Sequence, residues 1–416
     1  MAAPEKEVAK SELPDPKEVA KTYAEVAQRA SKLLADHIQK QVQKGMSAPT
    51  DELGIAQAFM DMMGKLLANP YRLAQAQMNL VWDYFSLWQH SMMRFTGMAP
   101  SAPVAAPAKD DKRFKDEEWQ EHFLFDFIKQ SYLITARHIH DTVSGVDGLD
   151  DQTQKKVNFY TRQYIDALSP SNFALTNPEV FRETVKSHGQ NLIKGLNNLL
   201  RDVEEGDGNL RVKMTDTTAF ELGRNVATTP GKVVFQTEMM QLLQYTPTTP
   251  DVSKRPLLIV PPWINKFYIL DLREKNSYIK WCVDQGHTVF VISWVNPDER
   301  LAEKSFDAYL LEGTLAAVDA IVEQTGAKEI NAAGYCLGGT LLATTLAYMA
   351  AKKDKRLASG TFFTTMTDFA DPGELSVFLD EGQISSLEKK MFERGYLEGS
   401  EMAGTFNMLR ANDLIW

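Results

Sequence analysis

The sequence predicts an α/β fold, a mostly parallel sheet covered by helices, set behind a long all-helical N-terminal region. Three observations predict it. From about Val212 onward, short apolar runs alternate with amphipathic ones, the pattern of strands buried on both faces by crossover helices. The residues ahead of that point carry helical periodicity instead. One strand-like run passes through a glycine-flanked cysteine, Cys336, directly into a helical stretch.

Residues 1–96 read as an amphipathic helical region. After a charged stretch over 1–16, expected to be mobile, helical patterns cover 17–44 and 51–95. Val81, Phe85, Trp88, Met92 and Phe95 recur at spacings of four, three, four and three, which makes one apolar stripe. Methionine is dense here: Met46, Met60, Met62, Met63, Met78, Met92, Met93 and Met98. Methionine adapts to irregular apolar surfaces, so one reading is a face that docks on a soft, lipid-like body. The other is a helix-on-helix core or an interface with another protein. Residues 97–112, rich in proline and alanine and ending in a charge run, read as a semi-stiff linker.

A second helical region spans 113–211. Ser169-Pro170-Ser171-Asn172 and Thr176-Asn177-Pro178-Glu179 supply capping residues just ahead of proline or glutamate. Gly206-Asp207-Gly208 ends it. Residues 212–370 form the α/β core, with strands expected at 232–235, 257–260, 288–293, 330–333 and 361–365. Helical stretches over 277–285, 306–325 and 340–351 lie between them. Residues 371–416 lack strand signals and read as the start of a cap or lid region, cut short.

The whole chain narrows the function. Its 416 residues, 44% apolar, can build a sizeable core, and a net charge of −10 does not favour nucleic-acid phosphates. Two cysteines, Cys282 and Cys336, exclude a disulfide framework and form no pair at metal-ligand or redox spacing. No apolar run approaches the length of a membrane span, and the N-terminus has no apolar signal core. A cytoplasmic location is expected.

The sharpest local signal is Gly334-Tyr335-Cys336-Leu337-Gly338-Gly339-Thr340. A strand, G-x-C-x-G and a helix in succession make a nucleophile elbow, the mark of an α/β-hydrolase core. The turn is so tight that its flanking residues, Gly334 and Gly338, must be small. It delivers Cys336 to a helix N-terminus, where free N–H groups and the helix dipole favour an anion. A thiolate exchanges readily with a thioester because attacking and leaving groups are of similar basicity. An acyl-CoA is therefore the natural substrate class. Cys282, beside Trp281 in an amphipathic helix, reads as core. The second feature is Pro261-Pro262-Trp263-Ile264-Asn265-Lys266. In this fold the loop after an early strand supplies one oxyanion-hole N–H and the residue after the nucleophile the other. Leu337 is the expected second donor. The first is expected at Trp263 or Ile264, because neither proline has an N–H.

The elbow resembles the lipase-like box of polyhydroxyalkanoate synthases. So do the segments 261–272, 286–298 and Phe406-Asn407-Met408-Leu409-Arg410-Ala411-Asn412-Asp413-Leu414-Ile415-Trp416. The likeness runs from about Phe114 to the last residue. Tyr335 and the long N-terminal region most resemble class I enzymes. The resemblance implies that Cys336 takes the acyl group of an (R)-3-hydroxyacyl-CoA, of short chain such as 3-hydroxybutyryl-CoA, and releases CoA. The hydroxyl of a second unit or of the growing polyester chain then attacks. It further implies a histidine that activates the thiol, an assisting aspartate, a homodimer, and work at the surface of a cytoplasmic polymer granule. The N-terminal helices are then expected to meet that granule surface or a granule-associated protein. No metal or other cofactor is implied.

The order of such a triad is nucleophile, acid, histidine. All seven histidines, His37, His90, His122, His138, His140, His188 and His287, precede Cys336. Asp368 follows the expected strand at 361–365 but reads as a loop residue. The sheet is therefore expected to be incomplete and the chain to be a C-terminally truncated synthase, inactive alone, whose aspartate and histidine motifs lie beyond Trp416. Two alternatives stand beside this reading: a cysteine thioesterase or related hydrolase, and a non-enzymatic granule-surface protein.

Overall fold

A computed structural model describes residue 28 and residues 53–98, 102–206 and 212–411. The charged stretch over 1–16, nearly all of the expected helix over 17–44, and residues 412–416 of the last motif lie outside them. The chain divides into two compact units: Met1–Met214 with Glu374–Gln383 and Phe406–Trp416, and Thr215–Gly373 with Ile384–Thr405.

The first unit is helical. Its main elements are α1 (Ile55–Leu67), α2 (Pro70–Phe95), α3 (Phe123–Ser144), α4 (Asp151–Ala167), α5 (Pro178–Lys186) and α6 (Gln190–Glu205). The starts follow the local chemistry. Pro70 and Pro178 occupy first turns, and the side chains of Asn69, Asp150 and Asn177 accept the orphan N–H groups of α2, α4 and α5. Ala58, Met62 and Leu66 of α1 pack with Val143, Val146 and Val157.

The face that α2 buries is not its apolar stripe. Val81, Trp88 and Phe95 are 59%, 55% and 73% exposed, and Phe85 and Met92 are exposed too. The helix instead buries Leu87, His90 and Ser91. A buried carboxylate explains this choice. Asp126 of α3 accepts from Arg94 Nη1 at 2.6 Å and Gln130 Nε2 at 2.9 Å, and lies 3.0 Å from Lys129 Nζ. Lys129 also donates to the Trp119 carbonyl at 2.7 Å. A buried charge is stable only when so surrounded, and the partners it recruits fix which side of α2 faces α3.

The stretch read as a linker is packed over its described part. Gln130 Oε1 accepts the backbone N–H groups of Val104 and Ala105 at 2.7 and 3.3 Å, and Ala105 sits buried with Leu87 and Ile134. The two helical regions separated in the sequence reading therefore share one unit, because this stretch is bonded to α3 instead of spacing it from α2.

The second unit is the α/β core. Strands β1 (Gly231–Gln236), β2 (Met240–Tyr245), β3 (Leu257–Val260), β4 (Val289–Trp294), β5 (Ile330–Tyr335) and β6 (Leu357–Phe363) form one sheet in the order β1-β2-β4-β3-β5-β6. The β1/β2 and β2/β4 pairs are antiparallel, and β4, β3, β5 and β6 run parallel. This mostly parallel sheet, flanked by α7 (Tyr278–Asp284), α8 (Ala316–Thr325) and α9 (Leu337–Ala351), is the α/β-hydrolase core expected. Continuous apolar strands put residues on both faces: Leu258, Val260, Phe290 and Ile292 pack on one side, Ile259, Val289 and Val291 on the other. Among the described residues β6 pairs only with β5, and most of it is exposed.

Residues 371–411 supply α10 (Glu381–Arg394) and α11 (Gly399–Leu409). Where the sequence suggested one cap segment, these residues divide between the two units. In the first unit Asp380 accepts from Lys156 Nζ at 2.6 Å, and Lys156 also donates to the Leu53 carbonyl at 2.8 Å. Burial pushes the Asp380 carboxyl up, but the bonds from Lys156 and Gln383 outweigh it and hold it below the usual range. Its contribution to stability is thus present above the unfolded carboxylate value of about 3.9 and is lost as pH falls through the lower folded value. Replacing Lys156 with Met is expected to destabilise the helical unit by ~1–3 kcal/mol, measured by urea unfolding at neutral pH. An unchanged midpoint would show that the pair contributes nothing.

Candidate active site

Cys336 occupies the turn between β5 and α9 as the cap residue of the helix, with φ 53° and ψ −126°. Such a backbone is costly for any residue with a side chain, by ~1–3 kcal/mol. It persists because both sides of the turn are fixed. The Cys336 N–H donates to the Phe363 carbonyl of β6 at 3.0 Å, and the Cys336 carbonyl accepts from Gly339 and Thr340 at 2.9 and 3.2 Å.

The glycines allow the turn to close. A methyl on Gly338 would overlap the Val260 carbonyl oxygen and lie 2.6 Å from the Pro261 carbonyl carbon. One on Gly334 would overlap Gly339 Cα, and one on Gly339 would strike Thr365 Oγ1. The motif thus encodes two approaches to backbone and one to a side chain. The small-residue requirement at Gly334 and Gly338 is met as expected, and Gly339 shares it. The first turn of α9 is also tied down by Thr340 Oγ1, which donates to the Met366 carbonyl at 2.8 Å.

Trp263, Ile264 and Leu337 all line one cavity of about 750 Å³, lying within the second unit. Among the described residues none of their backbone N–H groups donates to a protein acceptor. Unpaired backbone donors beside the elbow are a precondition for an oxyanion hole. The cavity has an apolar body, including Leu301, Met391 and Met402, and cations at Lys266 and Lys304. An acyl chain suits the apolar body, while Glu398 on the same wall and the Lys304–Glu312 pair at 2.6 Å offset the cations. Tyr309 also lines it, with burial pushing its phenol up.

The pieces the sequence reading did not single out are aromatic. Trp263 lies against Tyr309 with ring centroids 4.9 Å apart, and Trp294 meets Trp263 edge-on at 6.2 Å. Trp294 lies within the segment 286–298 that carries the family resemblance, but nothing in that segment marks its ring neighbours.

Among the described residues the histidine side-chain hydrogen bonds go to Asp83 and Ser144, and none to Cys336. His90 and His138 belong to the helical unit, lying 3.6 Å from Asp126 and 2.6 Å from Asp83. His287 enters β4 at the opposite ends of the parallel strands. Strand rise alone puts that end roughly 20 Å from the elbow. There it lines a second cavity of about 730 Å³ with Lys254, Arg255, Lys328 and Arg356. Parallel sheets bind substrates at the carboxyl ends of their strands, and that cavity lies at the other end, with Cys336 outside its lining. Asp368 is a loop residue that accepts from the Ala370 N–H at 3.0 Å, as its sequence position suggested. Cys282 is buried, and burial pushes its thiol up despite a bond with Tyr278. Among the described residues no group of three or more His, Cys, Asp or Glu side chains could hold a metal ion, and no helix is long and apolar enough to cross a membrane.

A family described as the poly-beta-hydroxybutyrate polymerase (PhaC) N-terminus matches residues 110–282. A poly(3-hydroxyalkanoate) polymerase of Methylorubrum extorquens is 52% identical over 84% of this chain and 58% of its own length. The corresponding polymerase subunit of Rhizobium etli is 46% identical over 97% of this chain and 64% of its own, and that of Cupriavidus necator 39% identical over 86% and 59%. The chain thus spans about three fifths of the length of these curated relatives. Among solved structures, an alpha/beta hydrolase from Novosphingobium aromaticivorans covers 32% of this chain at 16% identity and a TM-score of 0.21. The fold assignment rests on the strand order and the elbow, not on that likeness.

Two outcomes follow from the geometry. Iodoacetamide is expected to modify Cys336 in the folded chain well before the buried Cys282, with both reacting after unfolding; equal native rates, read by peptide mass spectrometry, would contradict the assignment. Cys336→Gly is expected to be more stable than Cys336→Ala by ~1–3 kcal/mol, since glycine alone relieves the positive φ. Equal urea midpoints would show that the turn stores no strain.

Proposed function

We propose that the chain, similar to poly(3-hydroxyalkanoate) polymerases over most of its length, is a polymerase of that kind and performs the acyl-transfer half of polyester synthesis, with Cys336 as nucleophile and (R)-3-hydroxyacyl-CoA as substrate. The observation that carries the proposal is Cys336 held at a positive φ on the elbow, beside a cavity lined by three residues with free N–H groups.

The thiolate of Cys336 attacks the thioester carbonyl carbon. The carbonyl electron pair moves to oxygen, where the N–H of Leu337 and that of Trp263 or Ile264 receive it. Collapse expels the CoA sulfur, which takes up the equivalent of the proton lost by Cys336, and leaves the hydroxyacyl group as a new thioester. The hydroxyl of a second hydroxyacyl unit or of the growing chain then attacks this carbon. An ester forms and the thiol is restored. The exchange changes no oxidation state, so it needs no redox group. Substrates of short acyl chain, such as 3-hydroxybutyryl-CoA, follow from the class I likeness.

Turnover also needs a base for the thiol and for the incoming hydroxyl. Among the described residues the histidine side-chain hydrogen bonds go to Asp83 and Ser144 and none to Cys336, and the chain on its own is proposed to accept an acyl group without sustained polymerisation. The exposed apolar face of α2 supports contact with the polymer granule or a granule-associated protein at the granule surface. Self-association as a homodimer belongs to the same proposal.

Incubated with 3-hydroxybutyryl-CoA at about pH 9, above the ordinary thiol value of about 8.5, the chain is expected to release CoA and gain one hydroxybutyryl group on Cys336. Cys336→Ala is expected to gain none while still binding the substrate. Acylation elsewhere, or undiminished in the variant, would end the proposal. Rapid loss of the acyl group as free acid would favour the hydrolase alternative, and an absence of acylation the purely surface-binding one.

A further inference from the structure

The loop that follows β3 has an unusual problem of support. Pro261 and Pro262 carry no N–H, and the backbone N–H groups of Trp263 and Ile264 are unused. Among the described residues, one hydrogen bond outside the strand ladders reaches residues 261–264. The indole Nε1 of Trp294 donates to the Pro261 carbonyl at 2.7 Å, and the pair is buried.

Trp294 is itself seated with care. It ends β4, and its ring lies over Gly313, where an added methyl would come within 2.5 Å of Cη2 and 2.6 Å of Cζ3. Gly313 belongs to a π-helical turn, Tyr309–Leu315, that interrupts an otherwise α-helical stretch. Such turns recur at functional sites. Tyr309 of the same turn packs on both Trp294, at 5.3 Å, and Trp263, at 4.9 Å. On the other side of the loop, Gly338 meets Val260 and Pro261.

We infer that Trp294 is a positioning residue for the oxyanion hole: through the Pro261 carbonyl it fixes where the N–H groups of Trp263 and Ile264 stand relative to Leu337. The π-helical turn provides the notch that lets the indole reach that carbonyl. The inference rests on the reading of Cys336 as an acyl-accepting nucleophile. It adds that one hydrogen bond, made by a side chain that does not line the cavity, sets the alignment of the donors. Small misplacements of such donors reduce rates steeply.

Two reactions of Cys336 separate this role from simple core packing. Acylation by a thioester builds negative charge on a carbonyl oxygen, whereas alkylation by iodoacetamide builds none at that position. Trp294→Phe keeps the ring and removes the N–H. Gly313→Ala keeps the indole and pushes it off its notch, which guards against a Phe variant that folds poorly. Both variants are expected to slow acylation of Cys336 by 3-hydroxybutyryl-CoA about tenfold or more, while its alkylation rate stays within about twofold. Equal slowing of both reactions, or of neither, overturns the inference while leaving Cys336 as the nucleophile. If the unsubstituted chain takes no acyl group, the functional reading itself falls, and the inference with it.

Discussion

The close approach of the elbow to the end of β3 is the constraint on which the site depends. Gly338 lies so near Val260 and Pro261 that no side chain fits between them. This brings the first turn of α9 against the loop that carries Trp263 and Ile264. The positive φ of Cys336 follows from the same crowding, because a relaxed turn would lift the helix away from β3. The cost is met by the fully buried strands on either side, Leu258 and Val260 of β3 and Ala332 and Ala333 of β5. Buried parallel strands are hard to move, so the strained cysteine cannot relax without disturbing the core.

From that contact the chemistry is local. The sheet brings Leu337 and the Trp263–Ile264 loop to one cavity, and neither needs a charged side chain to offer donors. Backbone N–H groups held by a rigid scaffold are already oriented before substrate arrives, which is the condition under which they stabilise a developing oxyanion most. The aromatic group of Trp263, Trp294 and Tyr309 supplies rigidity where two prolines leave the loop without backbone bonds.

Much of this was legible in the sequence, and the limits have physical causes. The strand at 257–260 coincided with β3, and the elbow appeared where G-x-C-x-G met a strand and a helix, because each of these features is encoded by adjacent residues. Strand β2 was missed: Met240-Gln241-Leu242-Leu243-Gln244-Tyr245 mixes polar and apolar residues, since it joins the sheet through antiparallel pairing near an edge. The stretch at 306–325 was read as one helix, and its π-helical turn depends on a tryptophan from another strand. From sequence alone the apolar stripe of α2 fits either a docking face or a helix-on-helix core, and the structure leaves it exposed. The buried side of the helix is set by Asp126, some thirty residues away, and by the cations that surround it. The packed segment around Ala105 likewise depends on Gln130. Contacts between distant polar residues leave no periodic trace.

The most direct test of the account is a crystal structure of the chain carrying a 3-hydroxybutyryl group on Cys336. The account predicts the acyl carbonyl oxygen about 3 Å from the Leu337 nitrogen and from that of Trp263 or Ile264, with the acyl chain in the cavity beside Tyr309. An acyl oxygen turned toward solvent, or an acyl chain outside that cavity, would contradict it.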